Sequence, residues 1–285
     1  MPATMLHEET LVLGEREFAT IGRLAHEHFG LDLHAGKQGM VAARLSKRIR
    51  QLGLRSFEEY CHYVLQDRTG AALESMVEDL TTNHTSFFRE PRHFDFLRDV
   101  VLPQYQGRSR IDVWSAACSS GEEPYSIAMS AVENLAPHGL PQVRILATDI
   151  AARVLARAER AVYPEQRFRS LPLPLLQRHL LRATAGDAVF YRIKPELRAM
   201  VEFRQMNLMQ RFPPLPLFQV IFCRNIMIYF DKPTQEDLVL RLSAQLEPGG
   251  YLLVGHSESL NSVEHGLEYV QPAVYRRPEL MRGPR

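Results

Sequence analysis

Up to about Thr82 the apolar positions recur at helical spacing, with no alternating run that would make a strand. Phe18, Ile21, Leu24, Ala25 and Phe29 fall on one face of a helix that Gly30 stops. Val41, Leu45, Ile49 and Leu52 form the stripe of a second helix, on which Arg44, Lys47, Arg48 and Gln51 share a face opposite Val41, Leu45 and Ile49; Gly53 closes it. Ser56-Phe57-Glu58-Glu59 fits a capping box, in which a hydroxyl and a carboxylate satisfy free amides at a helix start. Leu73, Met76, Val77 and Leu80 mark another amphipathic helix. These elements predict an all-α domain over residues 1–82.

Beyond Arg110 short apolar runs alternate with helical stretches. Ile111 to Trp114, Val143 to Thr148, Val201 to Met206, Phe218 to Cys223 and Tyr251 to Val254 read as buried strands. Helices are predicted at Pro124 to Leu135, Ala151 to Arg160 and Pro233 to Leu246. This alternation predicts a doubly wound, mostly parallel α/β sheet. Leu267 to Tyr275 contains Pro272 and reads as an edge hairpin or a bulged strand. A proline-rich stretch with a turn at Gly186-Asp187 breaks the rhythm, so residues 163–200 read as an inserted antiparallel β-subdomain. The resulting organisation is a linker at 83–91, an α/β domain at 92–277 and a tail at 278–285.

The 285 residues suffice for two domains, and a net charge of +1 with 24% charged residues excludes wholesale disorder and a general polyanion-binding surface. Three scattered cysteines make no disulfide framework, and the eleven histidines show no metal-ligand spacing. No apolar signal segment or membrane-length run is present, so a reduced, cytoplasmic protein without membrane insertion is expected.

In a doubly wound sheet, ligands bind beyond the carboxyl ends of the strands. The loop from Trp114 to Pro124 is built of small residues but carries Glu122 and Glu123 where a phosphate would sit, so a cofactor with positive charge and a ribose fits better than a dinucleotide. The competing reading is a tight turn whose acids complement the helix dipole. Asp149 ends the next strand and suits ribose hydroxyls, or the N-cap of the following helix. Asn207 and Arg224-Asn225 put polar groups at two further strand ends, and Tyr229 lies in an apolar run. The linker from Thr81 to Pro91 is unusually aromatic and carries Arg89. Lys37, Arg44, Lys47, Arg48, Arg50 and Arg55 make the second helix and its flanks basic, either a solvated face or a dock for an acidic protein or nucleic acid.

At these residues the chain resembles the CheR family, the chemotaxis receptor glutamate methyltransferases. The stretches are Leu80-Thr81-Thr82-Asn83 through Phe87-Phe88-Arg89-Glu90, Trp114-Ser115-Ala116-Ala117 through Gly121-Glu122-Glu123-Pro124-Tyr125-Ser126, and Ala147-Thr148-Asp149-Ile150. Ile221-Phe222-Cys223-Arg224-Asn225 through Tyr229-Phe230-Asp231-Lys232 and Gly255-His256-Ser257-Glu258 match as well. The resemblance implies a class I S-adenosylmethionine-dependent methyltransferase, Rossmann-like, with an N-terminal helical domain and an inserted β-subdomain. It implies cofactor contacts at Asn83, Thr85, Arg89, Glu123, Asp149, Asn207, Leu208, Arg224 and Asn225, and S-adenosylhomocysteine as product. Asp149 is expected on the ribose, Glu123 on the methionyl or ribose side, and Asn207 and Leu208 around the adenine.

Glutamate is already a carboxylate at neutral pH, so neither a metal nor a strong base is required. Arg89 is the candidate for gripping the substrate carboxylate, and Tyr229 for lining the methyl-transfer site through its hydroxyl. The resemblance makes Arg44, Lys47 and Arg48 a dock for the cytoplasmic helical bundle of a chemoreceptor. In some family members the β-subdomain tethers a peptide at the receptor's C-terminus, which makes the insertion around Arg182 to Val201 the candidate for that contact. The rival readings are a nucleic-acid methyltransferase, for which Cys223 is a conceivable nucleophile but reads as packed at the end of a buried strand, and a non-catalytic signalling adaptor.

Overall fold

A computed structural model describes residues 11–81, 85–105, 107–135, 142–261 and 263–279. The chain divides into two compact units, Met1–Thr82 and Asn83–Arg285.

The first unit holds the helices α1 (Glu15–Phe29), α2 (Gln38–Gln51), α3 (Phe57–Gln66) and α4 (Ala71–Leu80). α1 ends where Gly30 turns left-handed at φ 69°, a conformation that disfavours L side chains. α2 ends in a Schellman pattern, with Gly53 and Leu54 N–H donating to the carbonyls of Arg50 and Ile49. Val41, Leu45 and Ile49 are fully buried. Leu52, expected on the same stripe, lies past the last buried turn and is exposed. Ser56 Oγ caps α3 by accepting from Glu59 N at 3.1 Å. The reciprocal bond of the expected capping box reaches one residue further back, from Arg55 N to Glu59 Oε2.

The second unit is built on a seven-stranded sheet in the order β6-β2-β1-β7-β8-β10-β9. Its strands are β1 (Arg110–Ala116), β2 (Gln142–Asp149), β6 (Val201–Gln205), β7 (Phe218–Cys223), β8 (Leu246–Val254), β9 (Glu268–Gln271) and β10 (Val274–Arg276). β6, β2, β1, β7 and β8 pair in parallel, and the β9–β10 hairpin closes the sheet antiparallel. The chain runs outward from β1 to β2 and β6 on one side, then returns to β7 and β8 on the other. That reversal creates a crevice at the carboxyl ends of β1 and β7, where such sheets bind ligands.

β7 is buried along its whole length, as its continuous apolar run predicts. Val201–Gln205, expected to be buried, pairs with β2 alone among the described strands, at the sheet edge, and stays largely exposed. Pro272 falls in the β9–β10 turn; β9 is the edge strand, and a register shift follows at Val274/Tyr275. Leu246, expected at the end of a helix, instead starts β8, because the helix Lys232–Ala244 has already stopped. The insertion forms a separate antiparallel sheet of β3 (Val162–Pro164), β4 (Leu180–Ala185) and β5 (Ala188–Ile193), in the order β3-β5-β4. Beneath the crevice Trp114 is fully buried, and its indole N–H donates to Thr148 Oγ1 at 2.9 Å.

Candidate active site

The loop leaving β1 is made of residues small enough to take unusual backbone conformations. Ala117 and Ser119 have φ of 64° and 50°, and Gly121 has φ 93°. A side chain at Gly121 would also lie 2.7 Å from Ala158 Cβ. The loop is fastened to the end of β2: Cys118 N donates to Thr148 O at 2.9 Å and Ser119 N to Asp149 Oδ2 at 2.8 Å. Ala151 N donates to Asp149 Oδ1 at 3.0 Å, and Ala151, not Asp149, caps the helix Ala152–Arg160. The backbone amides of Ser119, Ile150 and Ala151 all bond the Asp149 carboxylate. A carboxylate can accept about four hydrogen bonds, which leaves a lone pair for a ribose hydroxyl. Burial raises the Asp149 pKa above its ordinary value, against the pull of the backbone amides.

Arg224, at the end of β7, is the buried centre of the site, with its side chain 2% exposed. Nη1 donates to Glu123 Oε2 at 2.8 Å. Nη2 donates to the Arg89 carbonyl at 2.6 Å and to Glu90 Oε2 at 2.8 Å. Glu123 Oε1 accepts from Ser115 Oγ at 2.7 Å, and Asn225 Nδ2 lies 3.3 Å from Glu90 Oε1. One guanidinium therefore joins the Thr85–Glu90 segment, the first turn of the helix Glu122–Leu135 and the end of β7. Arg224 and Glu123, both expected as cofactor contacts, are hydrogen-bonded to each other. Burial works to raise the Glu90 pKa, but the hydrogen bond and charge of Arg224, with hydrogen bonds from Asn225 and the His256 amide, together hold the carboxyl below its ordinary value.

A second buried carboxylate shapes the turn after Arg224. Glu258 Oε2 accepts from Gly255 N at 2.6 Å and Asn225 N at 2.7 Å, while Oε1 accepts from Met227 N at 2.7 Å and Ile228 N at 3.3 Å. This bonding lets Asn225 hold φ 60°. Sequence reasoning assigned no role to Glu90 or Glu258, although both lie in the matched motifs; nothing in their spacing names Arg224 or the 225–228 amides as partners.

Thr85 is buried, and its carbonyl accepts from Arg167 Nη1 at 2.9 Å. Arg89 and Tyr229 are half-buried. Met206 N donates to Asp149 O at 2.9 Å, which brings the next residues to the same rim. There Asn207 Oδ1 accepts from Met209 N at 2.9 Å, and Leu208 is buried. Asn83 lies outside the described residues. Glu122 faces inward: Oε2 accepts from Ser120 Oγ at 2.7 Å, and Oε1 lies 3.5 Å from Arg167 Nη1. Cys223 is fully buried, as its place at the end of a buried strand leads one to expect, and burial pushes its thiol up.

In the first unit, Arg48 pairs with Asp79 through Nε–Oδ2 at 2.6 Å and Nη2–Oδ1 at 3.3 Å, and Arg44 Nη1 donates to the Leu80 carbonyl. Arg44 and Arg48 therefore flank the buried stripe, since each is about 100° from its neighbour Leu45 or Ile49, instead of opposing it. Lys47 and Arg50 are exposed.

An acid-rich rim, a small-residue loop and the Asp149 carboxylate thus stand together at the carboxyl ends of the strands. Residues 83–275 match the CheR methyltransferase SAM-binding domain, and residues 16–81 match the CheR methyltransferase all-alpha domain. The chain belongs to the CheR methyltransferase family. CheR relatives include chemotaxis protein methyltransferase 2 of Pseudomonas aeruginosa, 40% identical over 96% of this chain and 97% of that protein. The chemotaxis protein methyltransferases of Borreliella burgdorferi and Escherichia coli are each 37% identical, over 92% and 94% of this chain and 94% and 92% of theirs. Like other CheR proteins, this chain is an S-adenosylmethionine-dependent methyltransferase with the class I fold. Among the described residues, no helix is long and apolar enough to cross a membrane.

Two measurements test the site. Glu258→Gln turns an amide NH2 towards two backbone N–H groups, so unfolding free energy should fall by about 2–6 kcal/mol, at about 1–3 per unsatisfied buried group; urea titration reads this. The depressed Glu90 pKa means that the unfolded chain takes up this proton first. Its stabilisation is complete above the ordinary value of 4.5 and is lost as pH falls towards the lower folded value. Glu90→Gln should therefore lose less stability than the natural chain between about pH 5 and 3, in urea midpoints measured across that range.

Proposed function

We propose that this protein transfers the methyl group of S-adenosylmethionine to glutamate side chains in the cytoplasmic helical domain of a chemoreceptor, forming methyl esters. The observation that carries this is the Arg224 knot, which ties the Arg89 segment to the end of β7 and to the first turn of the helix Glu122–Leu135. The rim fits the cofactor: Asp149 retains acceptor capacity for the ribose, Asn207 and Leu208 follow the adjoining strand, and the surrounding acids suit a sulfonium. Asn83, Thr85, Arg89 and Asn225 complete the cofactor shell, with Glu123 and Arg224 holding it in place.

When bound, S-adenosylmethionine supplies an activated methyl group. The chain's own residues align and dehydrate the reactants. Arg89 grips the incoming carboxylate, whose charge also separates its guanidinium from the sulfonium. Tyr229 lines the transfer point with its hydroxyl, and the exposed Ile228 beside it offers an apolar approach for a receptor helix. No proton has to move before the carbon–oxygen bond forms, because the substrate is already ionised at neutral pH.

Docking falls to the basic face of α2 and its C-terminal flank. Arg44 and Arg48 also hold α2 to the end of α4, so Lys47 and Arg50 are the cations whose change leaves the unit's packing alone. The insertion gives a second contact. β4 is the edge of its sheet and exposed from Leu181 to Ala185, a geometry that accepts an extended receptor peptide as an added strand. The cytoplasm is the compartment this reading requires.

Mass spectrometry of the host's receptors, incubated with protein and cofactor, should find methylated glutamates; unmodified receptors alongside methylated RNA or DNA would reverse the reading. Arg89→Ala should lower kcat/KM by about 30- to 1,000-fold, about 2–4 kcal/mol, in protein whose circular dichroism spectrum matches that of the natural chain. Replacing Lys47 and Arg50 together by glutamate should raise the receptor concentration needed for half-maximal methylation several-fold at low salt. S-adenosylhomocysteine affinity, read by calorimetry, should stay the same.

A further inference from the structure

At the Arg224 knot, Glu90 is joined by two histidines that methyl transfer does not use. Glu90, His93 and His256 each direct one donor atom into a common space, with these atoms all within 4.8 Å of one another. His93 is 1% exposed, and neither of its ring nitrogens has a hydrogen-bond partner among the described residues. Glu90 Oε2 lies 3.4 Å from His93 Nδ1, within ion-pair range but off hydrogen-bond geometry. The His93 and His256 rings meet edge to face at 4.8 Å, and His256 N donates to the same Glu90 oxygen at 3.3 Å.

A buried imidazole with no partner on either nitrogen costs about 1–3 kcal/mol, and side chains that leave such a group unmatched in the fold call for an explanation. We propose that Glu90, His93 and His256 form a binding site for a first-row divalent cation of the zinc type.

Two imidazoles and one carboxylate are a donor set for zinc, and for iron or cobalt, but not for magnesium or calcium, which take oxygen ligands. Donors around a tetrahedral zinc lie about 3.3 Å apart, given bonds of about 2.0–2.1 Å. The exposed His256 closes most of the remaining gap by swinging towards the fixed, buried His93. Its exposure also provides the entry path, and water fills the fourth position. The cation would share the Glu90 carboxylate with Arg224. Occupancy therefore loosens the bond that ties the Arg89 segment to β7, so the ion acts as an inhibitor of cofactor binding. This consequence rests on the methyltransferase reading, whereas ion binding itself does not.

The test is calorimetric titration of the full chain with zinc chloride, with magnesium chloride as control and cobalt absorption as a second readout. The natural chain should bind zinc and ignore magnesium, and His256→Ala should lose one site or at least tenfold in affinity. His93→Gln should do the same, with His256→Ala deciding the matter if that buried variant does not fold. Absence of zinc binding, or undiminished binding in His256→Ala, overturns the site. Zinc should also lower S-adenosylhomocysteine affinity in the natural chain but not in His256→Ala; unchanged affinity overturns the inhibitory role. Failure to bind S-adenosylhomocysteine in metal-free buffer would instead sink the methyltransferase reading and leave the ion site standing.

Discussion

The site depends on one buried positive charge. A guanidinium removed from water is tolerable only when its N–H groups meet anions or carbonyls, and breaking such a pair costs about 3–5 kcal/mol. Arg224 meets that demand with Glu90, Glu123 and the Arg89 carbonyl. Because these partners come from distant parts of the second unit, satisfying the charge also fixes the relative positions of three segments. Stability and the geometry of the rim are the same interaction seen from two sides.

The backbone around the knot is held in conformations that an isolated chain would avoid. Seven described residues other than glycine have positive φ, and five of them, Phe88, Glu90, Ala117, Ser119 and Asn225, lie in the three segments that form the rim. Such residues persist only where the surroundings over-determine them. Here the surroundings are identifiable: Asp149 fastens Ser119, Glu258 fastens Asn225, and Arg224 fastens Glu90. Aromatic packing adds to this, since Phe87 stacks on Phe168 at 4.4 Å and meets Tyr163 edge to face at 5.1 Å. Residues from the insertion thereby support the segment that carries Arg89.

Much of this was legible in the sequence because it is local. Gly30 and Gly53 end helices by a backbone preference, and the small residues after Trp114 announce a tight loop at a strand end. Asp149 could be placed at the rim by its position in a βα unit. The role of Arg224 could not, because its partners at 89–90 and 123 are brought to it only by the strand order. The same holds for Arg48, whose basic stretch contains no acid; Asp79 neutralises it from another helix. β6 reads like a core strand because its apolar content does not reveal that the sheet ends there. Leu246 continues the helical spacing but belongs to the next strand, a boundary that periodicity alone cannot fix.

All three cysteines, Cys61, Cys118 and Cys223, are buried with their thiols pushed up by burial. Two of them flank the crevice, immediately after β1 and at the end of β7. The thiolate is the form that oxidants and alkylating agents attack. Buried as they are, the three thiols offer no ready sulfur target to peroxide or an electrophile while the fold is intact.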